Sequence, residues 1–385
     1  MPEDNKTKEF LQKIAPCIER GEPDACVEEA ARLAGEMEIG AEELLDLSMH
    51  KGKNEDHGVA YVLALAAAQG LEGKKKARAH SNAGVAMQFL KRLDKSEEQY
   101  KLAIAADPKY ASAHYNYAIL LNELNRKQDA EEQYKLAIAT DSNDASAHYN
   151  YAILLNELNR KQDAEEQYKL AIAANPKDSS VHNNYANLLR EKAQFYDAEK
   201  EVRIALQISP NNPYAFGTLG DILADEGCYE DALKEYQKSL ENSSSMTYSS
   251  VSEIHNNLGW VHAQLKQYTK AEEAFKKARA FDSMNVKAIR NLRVLGKVKA
   301  EPAITKMQAC LATLPLLSLI VSFYLFWIGK LSETVFATQS TLLISLLIFI
   351  LFYHQLSKFK AGPIEFEKST EHRNQPAEAI SKIER

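Results

Sequence analysis

Histidine recurs at a fixed interval in this chain: His80, His114, His148 and His182 stand 34 residues apart, and His255 follows. Imidazole can ligate a metal or move a proton near neutral pH. Neither use suits this spacing if each interval is a pair of helices. Zinc holds its ligands about 2 Å away, whereas packed helices lie about 8–10 Å apart, so equivalent rings on successive pairs cannot converge on one ion. The spacing predicts each ring at a helix crossing with one nitrogen hydrogen-bonded. Cys17, Cys26, Cys228 and Cys310 lack metal spacing and do not read as a disulfide framework, which fits a reducing compartment. The chain has no glycine-rich phosphate loop and no recognisable Ser–His–Asp or Cys–His context. Only residues 1–75 leave room for a catalytic domain, so no enzymatic activity, metal or cofactor is expected.

The elements behind this interval are legible. Ser112 to Ala139 recurs letter for letter as Ser146 to Ala173. A period of 34 with two helical halves is the mark of a helix–turn–helix solenoid. The sparse Gly and Pro, 15 and 11, disfavour a β-rich fold. The eighth place of each unit is small: Gly84, Ala118, Ala152, Ala186, Gly220 and Gly259. A bulky side chain there would force the paired helices apart. Tyr100, Tyr134, Tyr168, Tyr236 and Phe275 fill the second helix, and Pro108, Pro176 and Pro210 are expected to end it.

These residues resemble the tetratricopeptide repeat family over about 77–285, in six units: 77–110, 111–144, 145–178, 179–212, 213–246 and 252–285. Histidine replaces the family's large residue at position 4, and Ser96 replaces alanine at position 20 of the first unit. The resemblance implies an all-α solenoid whose first helices line a concave face that binds polypeptides, with positions 2, 5, 6, 9, 12 and 13 facing the groove. Position 6 is then Asn82, Asn116, Asn150, Asn184 and Asn257, interrupted by Thr218. A carboxamide offers both a donor and an acceptor, so such a row could hold the backbone of an extended peptide, although asparagine is common at this place throughout the family. Tyr115 and Tyr149 would add apolar contact. Glu123, Glu157, Glu191 and Asp225 at position 13 would make the groove acidic or form an ordinary solvated face. Position 5 carries Ser81, Tyr115, Tyr149, Asn183, Gly217 and Asn256 in place of lysine, which argues against a carboxylate clamp.

The flanks read differently. Residues 1–76 form several short helices, either a degenerate pair of repeats or a separate module, broken near Gly21-Glu22-Pro23-Asp24. Five Lys/Arg against thirteen Asp/Glu make residues 1–50 acidic, and the whole chain carries a net charge of −6, which argues against nucleic acid. The Ser-rich stretch 242–252 is an insertion, read as a loop or a lengthened helix end. Residues 286–300 read as a capping helix, interrupted at Glu301-Pro302.

Two apolar runs, 309–329 and 334–354, approach the roughly 20 residues needed to span a bilayer. The short turn between them implies an antiparallel transmembrane hairpin. Ser318 and Ser322, and Thr338, Thr341 and Ser345, could hydrogen-bond between its helices. Lys297, Lys299, Lys306, Lys358 and Lys360 flank the hairpin, and Lys330 alone sits in the turn, so both termini and the repeats are expected in the cytosol. The tail, 355–385, is polar after the alternating Ile364, Glu365, Phe366 and Glu367. The expected function is a membrane-anchored scaffold that binds a protein segment. The alternative is a structural subunit of a membrane complex or homo-oligomer.

Overall fold

The turn between two helices sets the repeat. In each unit the residue at position 15 adopts a left-handed conformation: Lys91, Asn125, Asn159, Ala193, Gly227 and Lys266, with φ from 57° to 82°. The next amide then donates back to the carbonyl at position 11, as Arg126 does to Leu121 at 2.8 Å and Gln267 to His262 at 2.8 Å. This pairing satisfies carbonyls that a helix end would otherwise strand.

The computed structural model describes residues 5–19, 23–361 and Lys368, with the backbone alone at 299–312 and 351–361. Gly21-Glu22 and the alternating 364–367 lie outside the described residues. The chain divides into two units at Ser209–Pro210. Every described segment of regular structure is helical.

The first unit opens with α1 (Asn5–Glu19), α2 (Cys26–Glu36), α3 (Ala41–Lys53) and α4 (His57–Gln69). Four helix pairs follow. They are α5 (Gly73–Phe89) with α6 (Leu93–Ala106), α7 (Ala111–Glu123) with α8 (Lys127–Thr140), α9 (Ala145–Glu157) with α10 (Lys161–Ala174), and α11 (Ser179–Glu191) with α12 (Phe195–Ile208). Helices α6, α10 and α12 stop two residues before Pro108, Pro176 and Pro210.

The α3–α4 pair carries the same turn as the repeats. Glu55 has φ of 64°, and Asp56 donates to the Lys51 carbonyl at 3.0 Å. Ser48 takes the small place of the first helix, and its hydroxyl donates to the Ala60 carbonyl at 2.8 Å. The pair thus shares its turn geometry with the repeats, although its small place lies 36 residues before Gly84 rather than 34. It sits on one apolar core with α1, α2 and α5, including Phe10, Ile14, Leu44, Leu63 and Met87. Cys17 and Cys26 are joined by a disulfide in this core, with Cα atoms 5.7 Å apart. The cysteine spacing had suggested no such bond; the packing of α1 against α2 brings the two together.

The second unit holds α13 (Pro213–Asp225) with α14 (Tyr229–Glu241), α15 (Tyr248–Gln264) with α16 (Tyr268–Phe281), then α17 (Val286–Trp327) and α18 (Glu333–Ala361). The Ser-rich insertion forms a 3₁₀ turn, Ser243–Ser245, and an extra first turn of α15 capped by Thr247, whose hydroxyl accepts from the Ser250 amide at 3.1 Å. Close helix crossing explains the small residues. A Cβ on Gly220 would lie 2.7 Å from the Tyr236 ring, and one on Gly259 would lie 2.5 Å from the Phe275 ring.

Helix α17 corrects the expected break at Pro302, since it runs unbroken for 42 residues. A proline removes one amide and strains one turn at about 3 kcal/mol, which the helical turns on either side absorb here. Helices α17 and α18 pack side by side, with Phe326 stacked on Phe336 at 4.6 Å. Among the described residues, Glu333–Ile350 is the one stretch long and apolar enough to cross a membrane, and Thr313–Trp327 is shorter. The hydroxyls expected between the helices turn inward instead. Ser322 bonds to the Ser318 carbonyl, Thr338 to Thr334, Thr341 to Ala337 and Ser345 to Thr341, each at 2.8 Å. A short hydroxyl side chain reaches its own i−4 carbonyl more readily than a neighbouring helix.

Candidate protein-binding groove

The histidines are held on both sides in three units. His114 lies 3.0 Å from the Pro108 carbonyl and 2.8 Å from the Gln133 carboxamide. His148 repeats the pattern with Ser142 and Gln167. His182 places both nitrogens against acceptors, the Pro176 carbonyl and the Glu201 carboxylate at 2.7 Å. Burial would lower its pKa, but these acceptors outweigh it and raise it. His255 instead stacks on Phe281 at 5.4 Å, and burial, with Lys277 nearby, lowers its pKa to about 4. In the repeats of His114, His148 and His182 the ring therefore ties the loop that precedes its repeat to that repeat's second helix. Among the described residues no group of three His, Cys, Asp or Glu could hold a metal ion.

The asparagine row is a ladder between units. Asn116 donates to the Ser81 hydroxyl at 3.2 Å, Asn150 to the Tyr115 hydroxyl at 2.9 Å and Asn184 to the Tyr149 hydroxyl at 2.7 Å. Each reaches 35 residues back, from position 6 to position 5 of the preceding unit. In the second unit, Asn291 of α17 continues the rule to Asn256 at 2.9 Å, and Asn257 donates to Asp221 at 2.8 Å. Asn82, Asn116, Asn184, Asn257, Tyr115 and Tyr149 are buried, and Asn150 is half-buried. The sequence could not show that hydroxyl partners wait one repeat earlier.

Position 13 carries a second regular contact. Glu123 receives Lys91 at 3.0 Å and the Gln88 carboxamide at 2.9 Å. Glu157 pairs with Lys127 at 3.1 Å and Glu191 with Lys161 at 3.2 Å. The Glu123 and Glu157 side chains remain about one-third exposed, 34% each, so they form a partly neutralised acidic rim. In the second unit, Asp225 at the same position receives Lys368 at 2.6 Å. Trp260 at position 9 faces this ammonium, 5.7 Å from ring centroid to Nζ. Neither Trp260 nor Lys368 was singled out from sequence, because no local pattern links a tail lysine to a repeat more than 100 residues earlier.

Away from these contacts, a carboxylate in each of three repeats collects two donors from the repeat that follows it. Glu131 accepts from Tyr151 at 3.1 Å and from Arg160 at 2.7 Å. Glu97 does the same with Tyr117 and Arg126, both at 2.8 Å, and Glu165 with Tyr185 and Lys192. Burial pushes these carboxyls up, but the hydrogen bonds from basic partners outweigh it and hold each at about 2. The aromatic stack beside them includes Tyr134 with Tyr151 at 6.0 Å and Tyr168 with Tyr185 at 5.8 Å.

Comparison with known proteins agrees with this geometry. Tetratricopeptide repeat family models match residues 89–145 and 128–179, and again residues 212–283. No curated protein matches the sequence. The fold is similar to the crystal structure of a tetratricopeptide repeat protein from Parabacteroides merdae, with TM-score 0.51 and 19% identity over 66% of this chain and 98% of that one. Pseudomonas aeruginosa pilF is similar at TM-score 0.47 and 19% identity, over 55% and 95% of the two chains. YrrB, a repeat protein described as having an unusual peptide-binding site, is similar at TM-score 0.39 and 22% identity, over 50% and 97%. At these identities the likeness shows the fold alone.

Proposed function

We propose, for a chain whose middle is built of tetratricopeptide repeats, that it is a membrane-anchored scaffold holding a protein segment against its first helices. Proteins built of this repeat generally mediate protein–protein interaction, and that supports the binding half of the reading. The half-buried Asn150 and the rim carboxylates Glu123 and Glu157 are the residues we assign to ligand contact, while the buried asparagines hold neighbouring repeats in register. A basic or lysine-bearing segment suits this acidic rim.

The observation that carries the anchoring half is exposure. Leu314 is 67% exposed, Trp327 78%, Leu342 67% and Phe349 63%. Large apolar side chains exposed around both helices mark a surface that water does not cover. We place Thr313–Trp327 of α17 and Glu333–Ile350 of α18 in the bilayer, with both ends of the hairpin on one side. The flanking lysines favour the cytosolic side. The Cys17–Cys26 disulfide stands against that side, since such bonds persist mainly in oxidising compartments.

Photo-crosslinking in native membranes tests the reading. A benzophenone residue replacing Glu157 forms an adduct with a foreign protein, whereas one replacing the exposed Lys169 on α10 does not. Equal adducts at both places, or none, remove the groove assignment. Extraction at alkaline pH tests the anchor: the chain stays with the membrane pellet, and a chain lacking residues 313–361 does not.

A further inference from the structure

We infer that the second unit contains a lysine-binding pocket and that the chain's own tail fills it through Lys368. This deepens the groove reading above and rests on it. The Lys368 side chain is only 8% exposed although it lies in a polar tail. Its ammonium donates to the Asp225 carboxylate at 2.6 Å and to the Asp221 carbonyl at 2.9 Å. Its third side faces the Trp260 ring at 5.7 Å, within the range of a cation–π contact. Three donors on a compact cation are thus met by a carboxylate, a carbonyl and an aromatic face. Asp221 and Asp225 both lie in the last turns of α13, where the helix dipole favours positive charge.

The walls of the pocket are held by contacts that do not involve the lysine. Asp221 is 3% exposed, and its carboxylate accepts from Tyr236 at 2.6 Å and from Asn257 at 2.8 Å. Those bonds fix the backbone that presents the carbonyl. Trp260 is braced edge-on by Tyr229 at 6.0 Å.

Asp225 takes a cation from the tail. The ligand class is a primary ammonium on a flexible stem, the side chain of lysine within a polypeptide segment. A lysine-bearing segment of a partner fits the same groups and has to displace Lys368. Only six residues separate the end of α18 from Lys368, so the tail competes at the high effective concentration of a short tether.

Two measurements on the full chain in detergent micelles test this. In the first, amines are acetylated and the rate at each lysine is read by mass spectrometry. Lys368 reacts about tenfold more slowly than Lys234, whose side chain is 69% exposed. Asp225→Asn combined with Trp260→Ala removes the difference. Equal rates in the unsubstituted chain overturn the proposal. In the second, a fluorescent peptide of residues 362–374 is titrated against the Lys368→Ala chain. It binds saturably, binding is lost when Asp225→Asn is added, and the unsubstituted chain binds about tenfold more weakly. Equal binding to both chains, or none, overturns the pocket. If the pocket fails while crosslinking at Glu157 still captures a partner, the groove reading survives; loss of that adduct alone overturns the groove and leaves the pocket.

Discussion

Asn184 donates its carboxamide to the Tyr149 hydroxyl at 2.7 Å, joining two repeats across a gap of 35 residues. Both side chains are buried, so removing either takes a hydrogen-bond partner from the other inside the fold. Asn184→Ala is expected to cost about 1–3 kcal/mol, read as a lowered unfolding midpoint. Tyr149→Phe should cost less once Asn184 is already alanine, and a double-mutant cycle measures that coupling. Additive effects would mean the bond is not formed.

The crossing of α15 and α16 leaves no room for a methyl group. Phe275 is fully buried and its ring lies 2.5 Å from where a Gly259 Cβ would stand. Gly259→Ala is expected to destabilise by about 1–3 kcal/mol through overpacking. Phe275→Leu in the same chain should recover part of that loss. Denaturant titration distinguishes the two, and a neutral Gly259→Ala would contradict the crossing.

Acid should loosen the first unit. Glu97, Glu131 and Glu165 are held at about 2 against an ordinary value of 4.5. A carboxyl with a depressed folded pKa stabilises fully above its unfolded value and loses that contribution as pH falls through the folded one. Unfolding midpoints are therefore expected to drop between about pH 4.5 and pH 2. Glu131→Gln should flatten part of that slope. His182 runs the other way: its raised pKa adds stability that is fully present below the ordinary value of 6.5 and is lost as pH rises through the folded one.

Ala193 pays for its turn with a left-handed backbone at φ 57°. An L side chain there costs about 1–2 kcal/mol relative to glycine, and the equivalent Gly227 avoids this. Ala193→Gly is expected to raise the unfolding midpoint. A decrease would show that the methyl group makes a contact worth more than the strain.

Alkylation before reduction should leave Cys17 and Cys26 unmodified while Cys228, which is exposed, reacts. Performed on whole cells with permeant and impermeant reagents, the same measurement decides orientation. If Cys17 and Cys26 are oxidised in cells, the amino-terminal part lies outside the reducing cytosol and the assignment from the flanking lysines falls.

The 34-residue rhythm was readable because small and aromatic residues recur in phase. The likeness of the α3–α4 pair to the repeats was not, because its marks are conformational. Its left-handed Glu55 and the bond from Ser48 to Ala60 leave no consensus letters. The asparagine row was visible as a row, but a carboxamide looks the same whether it meets a ligand or the preceding repeat. Only the geometry of Tyr115 and Tyr149 separates those uses. Lys368 carried no local signal, since its partners are supplied by helices far away in the chain.

Helix α17 joins the last repeat to the apolar hairpin with no joint. At roughly 1.5 Å per residue it measures about 63 Å. Such a shaft conveys torque: a twist imposed on its apolar end must turn the repeat docked at the other, and a partner pulling on that repeat must strain the hairpin in return.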